Sequence, residues 1–329
     1  MQTRTLGRTG RTVSVIGLGT WQLGADWGEV DEADALAVLD ASHEAGVTVF
    51  DTADVYGDGR SETLIGRWLA SNPGSGVTVA TKMGRRMPQE HDNYVLDNFR
   101  AWTDRSRRNL GVETLDLVQL HCPPTSVYSD DAVYDALDTL VAEGAVAAYG
   151  VSVEKVDEAL AAIARPNVAT VQIILNAFRL KPVEEVLPVA RQYGVGIIAR
   201  VPLASGLLSG RYTLETEFAE NDHRSYNRHG ESFDVGETFS GVDYPTGVRA
   251  ASEFSALARE AAPDATAAQV ALAWVAGQDG VSTVIPGARN PDQARANAAA
   301  GSLELPESFD AAVRDLYDRD IRPSVHHRW

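Results

Sequence analysis

Four residues in the first half of the chain have types and positions that together suit proton transfer. The segment FDTADVYG (50–57) ends a short apolar run in Asp51 and carries Tyr56 five residues later. VTVATKMG (77–84) ends another run in Lys82, and LDLVQLH (115–121) ends a third in His121. Lysine is scarce, with Lys82, Lys155 and Lys181 the only three in 329 residues, so one at the end of a buried run is not compositional noise. Singly, each residue has an ordinary reading: a turn carboxylate, a packed phenol, a hydrogen-bonded core imidazole. As a set they can do specific chemistry. A phenol with a pKa of about 10 is too weak an acid for neutral pH, and an adjacent ammonium favours the phenolate and lowers that value. Moving it by three units takes about 4 kcal/mol of differential interaction. Lys82 would supply that cation, and Asp51 would keep it charged and oriented. His121 would hydrogen-bond the substrate oxygen, and Tyr56 would act as general acid toward a developing alkoxide.

Such a set needs elements that bring three run ends together. Eight short, mostly β-branched runs recur at 14–19, 47–50, 77–80, 115–120, 145–151, 169–174, 195–199 and 282–285. Several are continuously apolar, as strands covered on both faces are. Helical patterns separate them, at 31–45, 61–70, 94–110, 131–142, 154–164, 183–193, 247–261 with 266–277, and 291–300. Acidic residues open the first helix and Gly46 follows its end; Thr266 and Gln269 fit a capping box. Asn290-Pro291 reads as a cap with proline at the first helical position. Eight strand–helix units predict an α/β fold, a (β/α)8 TIM barrel spanning 1–329 as one domain, with a doubly wound sheet as the rival. The catalytic candidates then fall at the C-terminal strand ends, where barrel chemistry gathers. RTLGRTGRTVSV (4–15) predicts an N-terminal β-hairpin around Gly10, plugging the barrel bottom. The 203–246 stretch after the seventh strand is far longer than an ordinary connection, and its aromatic, His and Arg content favours function.

Charge narrows the partners. Lys and Arg number 29 against 46 Asp and Glu, a formal net charge of −17, which repels nucleic acid and anionic membrane surfaces. A phosphate ligand therefore has to be held by local donors. Cys122 is the one cysteine, so no intrachain disulfide forms. With no charged-then-apolar leader and no run of about 18 apolar residues, a cytoplasmic protein without membrane or nucleic-acid partners is expected.

FDTADVYGDGRSETLIG (50–66), VATKMG, LDLVQLHCP (115–123), YGVSV (149–153) and VIPGARNPDQARAN (284–297), in that order, resemble the aldo-keto reductases over roughly residues 3–300. The resemblance implies a barrel that binds NADP(H) without a Rossmann domain, reduces a small carbonyl compound, and has its tetrad at Asp51, Tyr56, Lys82 and His121. It places Gly19, Thr20 and Trp21 near the nicotinamide and Ser152 and Gln172 on the carboxamide. VPLASGLLSG (201–210), with Pro202, Leu203, Ser205, Gly206 and Gly210, falls on the pyrophosphate-straddling loop. Pro286 and Gly287 lead into the last of these helices, whose N-terminus offers free N–H groups and a positive dipole end. Arg289 there adds a fork for the 2′-phosphate, and Gln293 and Asn297 are one turn apart for adenine. GLGTWQLG (17–24) is spaced G-x-G-x-x-x-x-G, not as a dinucleotide fingerprint.

Two positions depart from the family. Val153 stands where asparagine often follows the serine, and Arg200 stands where a tyrosine often stacks on the nicotinamide. A guanidinium can also stack on a ring or bind an acidic substrate group. Trp21, Trp27 and the 203–246 stretch would shape substrate choice. The alternative function is a nucleotide-sensing regulatory subunit with little turnover. A metal-dependent hydrolase using Asp51 and His121 would need further ligands at other strand ends, and none is convincingly placed.

Overall fold

The computed structural model describes residues 1–24 and 31–329, which leaves Trp27 outside the described residues. Strands β1 (Thr3–Thr5) and β2 (Thr12–Ser14) form an antiparallel hairpin. Eight parallel strands follow: β3 (Leu18–Gly19), β4 (Val49–Asp51), β5 (Thr78–Met83), β6 (Leu117–His121), β7 (Tyr149–Ser152), β8 (Val168–Ile174), β9 (Gly196–Arg200) and β10 (Val281–Val284). They pair in chain order from β3 to β10, and bridges from Ile16 to Val284 and Gly19 to Gly287 join the two edges. The fold is the (β/α)8 barrel, not the doubly wound sheet. Every residue of β4 through β10 is buried, because helices cover one face and the barrel interior the other. That two-sided burial is why these runs are apolar throughout instead of alternating.

The outer layer is α1 (Glu32–Glu44), α2 (Arg60–Ser71), α3 (Leu96–Leu110), α4 (Asp131–Ala142), α5 (Val156–Ile163) and α6 (Lys181–Tyr193), then a short α7 (His223–Tyr226), α8 (Tyr244–Ala261), α9 (Ala267–Gly277) and α10 (Pro291–Ala299). Thr266 and Gln269 form the expected reciprocal cap on α9, and the Asn290 side chain accepts from the Gln293 N–H at the start of α10. Two further helices, α11 (Glu307–Leu316) and α12 (Arg322–Val325), close the chain beyond the expected elements. No helix among the described residues is long and apolar enough to cross a membrane.

The hairpin forms the floor. Leu6 and Val13 pack with Val49, Ala80, Leu117, Ile198 and Ile285 as a cluster separate from the main core. At the turn, Gly7 has φ +49, and an added Cβ would lie 2.1 Å from the Gly196 nitrogen, so only glycine fits. The Arg8 guanidinium donates to the carbonyls of Arg165, Pro166, Val168 and Tyr193, tying the hairpin to the bottom loops.

Candidate active site at the barrel mouth

Register sets the site. Lys82 on β5 is level with Gln119 on β6; His121, Ser152 and Gln172 form a row across β6, β7 and β8. Asp51 pairs with Gly19 at the end of β4. Tyr56 sits on the β4–α2 connection, a run of turns anchored by Thr52 N–H to Ala80 O and Asp54 N–H to Lys82 O. Arg86 and Arg105 grip the far side of this loop through the Asp54 carbonyl and the Asp58 carboxylate.

These elements bring the four proton-transfer candidates together. The Lys82 ammonium, 1% exposed, donates to Asp51 Oδ2 at 2.5 Å, to the Thr52 carbonyl at 2.9 Å and to the Tyr56 hydroxyl at 3.5 Å. Its three N–H bonds are all used. The ring of His121 meets that of Tyr56 edge-on at 6.0 Å between centroids, and its Nδ1 is buried without a partner among the described residues. Asp51 is itself oriented: its Oδ1 accepts from Gln172 Nε2 at 2.7 Å and Gln119 Nε2 at 3.3 Å.

The electrostatics correct one expectation. Burial pushes the Tyr56 phenol above its ordinary value, and Lys82 counters this only in part, with Asp51 and Glu237 acting on the side of burial. The phenol is therefore fully protonated at neutral pH. Desolvation outweighs the neighbouring cation, a balance that residue types alone do not reveal. Burial also opposes charge on Lys82, but the Asp51 carboxylate and Tyr56 more than offset it, so the ammonium persists. Burial, then the cations Arg85, Lys82 and Arg200, hold His121 well below the usual imidazole range, leaving it neutral.

The expected cofactor residues divide into two sets. Trp21 stacks on Tyr56 at 6.2 Å and meets His223 and Phe233 from the 203–246 connection, so it belongs to the mouth. Gly19 donates its N–H to Pro286 O, and Gly287 packs against the Gln22 amide. Pro202, Leu203, Ser205, Gly206 and Gly210 line up along the turn after β9, where Gly206 has φ +96 and a Cβ would meet the Tyr212 hydroxyl at 2.4 Å. The Arg289 guanidinium is exposed and carries no hydrogen bond or ion pair to another described residue.

Other expected cofactor residues make internal hydrogen bonds. The Thr20 hydroxyl is fully buried and donates to the Asp51 carbonyl. Ser152 Oγ accepts from the Cys122 thiol at 3.4 Å. Gln172 gives its amide to Asp51. Gln293 Oε1 accepts from Arg289 N–H, and Asn297 Nδ2 donates to Gly287 O, so both brace the α10 entry loop. Arg200 is 8% exposed and points into an ion-pair cluster with Glu154 and Glu237. Its Nη1 and Nη2 are engaged by Glu237, Glu154 and the Val153 carbonyl, while its Nε is buried without a hydrogen-bond partner among the described residues.

Several site residues had not been anticipated. Gln119 had a readable cue: it lies two residues before His121 on one strand and so faces the same side. Asp54, fully buried with neither carboxylate oxygen hydrogen-bonded to a described residue, had one too, in the same DTADVY segment. Glu237, inside a long irregular stretch, had none.

The family model described as Aldo/keto reductase family matches residues 15–318. An uncharacterized oxidoreductase of Mycobacterium tuberculosis is 34% identical over 94% of this chain and 91% of its own. The structure of the glycerol dehydrogenase AKR11B4 from Gluconobacter oxydans superposes with a TM-score of 0.81 at 29% identity, covering 97% of this chain and 96% of that one. An aldo-keto reductase from Klebsiella pneumoniae in complex with NADPH gives a TM-score of 0.72 at 25% identity, with 96% of each chain covered.

Proposed function

The chain belongs to the aldo-keto reductase family, and on that premise we propose that it is an NADPH-dependent reductase of an aldehyde or ketone, with Tyr56 as general acid. The observation that carries the reading is the Lys82 ammonium, which touches Asp51 and Tyr56 at once in a buried setting.

The residues present fit the cofactor. The positive end of α10 lies beside an Arg289 guanidinium that is exposed and bonded to no other described residue, a set suited to a phosphate. The turn at Gly206 allows close backbone approach, and the NADPH-bound relative supports the assignment. NADPH, when bound, supplies the hydride. The protein's own part is the proton. Tyr56, held neutral by burial, keeps its proton until an alkoxide develops beside it. Lys82, held by Asp51 at 2.5 Å, then stabilises the phenolate left behind. His121, neutral, offers a ring N–H to the substrate oxygen and orients it. Gln119 and Gln172 hold Asp51 in register with Lys82.

A regulatory subunit with little turnover would not require this complete constellation, which favours the enzyme. The test is NADPH fluorescence and consumption against a panel of carbonyl compounds. Tyr56→Phe is expected to bind NADPH like the parent while turnover falls by about 10²–10⁴; undiminished turnover in that variant rejects the assigned acid.

A further inference from the structure

Arg200 stands at the end of β9, where the resemblance leads one to expect an aromatic ring. Its Nη2 donates to Glu154 Oε2 and to the Val153 carbonyl, both at 3.0 Å, while Nη1 pairs with Glu237 Oε1. Glu154 comes just after β7, and Glu237 comes from late in the 203–246 connection, 37 residues beyond Arg200. A second arginine, Arg85, donates through Nε to the His121 carbonyl and lies within the field of both glutamates. Two guanidinium groups thus face two carboxylates in a nearly closed site.

The backbone around this cluster is strained on both sides. Val201, Ala204 and Ser205 have φ of 52, 47 and 56, and Phe239 and Ser240 have 53 and 55. None is glycine, and a β-branched valine there is a true outlier. The two strained segments are stapled to each other: Ser205 Oγ donates to the Glu237 carbonyl at 2.8 Å and accepts from the Phe239 N–H at 3.0 Å. Asn176 Nδ2 bridges the Val201 carbonyl and Ser240 Oγ. Gly236 is wedged beside Glu237, where a Cβ would lie 2.3 Å from Arg179 Nη1 and 2.8 Å from the Trp329 ring. Strain of this kind persists only where the surroundings over-determine it. The charged member of the clamp is Glu237 on Arg200.

We propose that Glu237 is a positioning residue: its ion pair with Arg200 docks the 203–246 connection onto the ends of β7 and β9, and the planar guanidinium so clamped replaces the aromatic ring as the platform at the nicotinamide end of the cofactor groove. The platform rests on the cofactor reading above; the docking does not. It follows that the connection and the cofactor seat are one unit. Loosening the ion pair frees both strained segments and the surface against which the cofactor lies.

The test compares full-length Glu237→Gln and Glu237→Asp with the parent by hydrogen–deuterium exchange without cofactor, and by NADPH fluorescence titration. For Glu237→Gln, exchange in segments 201–210 and 233–242 is expected to rise, and the NADPH dissociation constant to increase, each by about tenfold to a hundredfold, as loss of a charged hydrogen bond implies. Glu237→Asp, which keeps the charge, is expected to restore most of both. Parental exchange in Glu237→Gln overturns the docking. Faster exchange with unchanged NADPH affinity overturns the platform. A parent protein that binds no NADPH overturns the cofactor reading and the platform with it, while exchange in the ligand-free protein still decides the docking.

Discussion

The floor and the mouth of the barrel treat the backbone differently. At the hairpin and the helix-to-strand turns, each left-handed position among the described residues is a glycine: Gly7, Gly10, Gly46, Gly74, Gly76, Gly111, Gly144, Gly194 and Gly280. In the strand-to-helix connections, Asp58, Cys122, Val201, Ala204, Ser205, Phe239 and Ser240 adopt the same conformation with a side chain attached. The ionisable groups divide similarly. On the floor, Arg8 spends its guanidinium on four backbone carbonyls. At the mouth, Asp54, His121 Nδ1 and Glu154 Oε1 are buried with no hydrogen-bond partner among the described residues. Apart from the Thr170 hydroxyl, which is buried without a partner near the floor, strain on residues with side chains and unpaired ionisable groups gather at the mouth, as expected of a barrel that concentrates its chemistry at one face.

Substitutions that separate stability from function would break or sharpen this contrast. The largest stability effect is expected on the floor. Leu6→Ala, at a fully buried position, should cost about 2–5 kcal/mol in denaturant unfolding and leave turnover per folded molecule unchanged. A matching loss of specific turnover would mean that the floor also shapes the site. The converse is expected at the mouth. Arg289→Ala should weaken NADPH by about ten- to a hundredfold and NADH far less, with no change in unfolding midpoint; equal losses for both cofactors would discredit the phosphate fork.

The smallest effect has the opposite sign. Burial, with Glu62 nearby, raises the Asp54 carboxyl to about 7, while Arg86, Arg105 and Lys82 pull the other way. A carboxyl whose folded value is raised favours folding at low pH, and that contribution is lost as pH climbs toward 7. Asp54→Asn should therefore stabilise the protein at pH 8 by about 1–3 kcal/mol and bring no gain at pH 4. A pH-independent difference between the two proteins would place the cost elsewhere.

Much of the architecture was legible from the chain alone because it depends on local pattern. Doubly buried strands read as apolar runs, and Asn290-Pro291 and Thr266-x-x-Gln269 announced their helices. The convergence of Asp51, Tyr56, Lys82 and His121 was legible because each ends such a run or follows one. What escaped notice depends on long-range balance. Burial outweighs Lys82 at Tyr56, a comparison of two opposing energies rather than a residue type. Gln172 turns its amide to Asp51, and Thr20 turns its hydroxyl to the Asp51 carbonyl, because neighbouring strand ends leave those atoms within reach. Glu237 meets Arg200 only after a long irregular connection folds back, with no periodicity to show where it lands.

The central claim is that Lys82 and Tyr56 act as one proton-donating unit. It is tested most directly by single-turnover hydride transfer from NADPH in Tyr56→Phe, Lys82→Met and the double variant, with a carbonyl substrate taken from the panel. Each single change should slow the step by about 10²–10⁴, and the double variant should be no slower than Tyr56→Phe within about threefold, because members of one unit are lost together. Losses that multiply in the double variant would show two independent contributions and contradict the account.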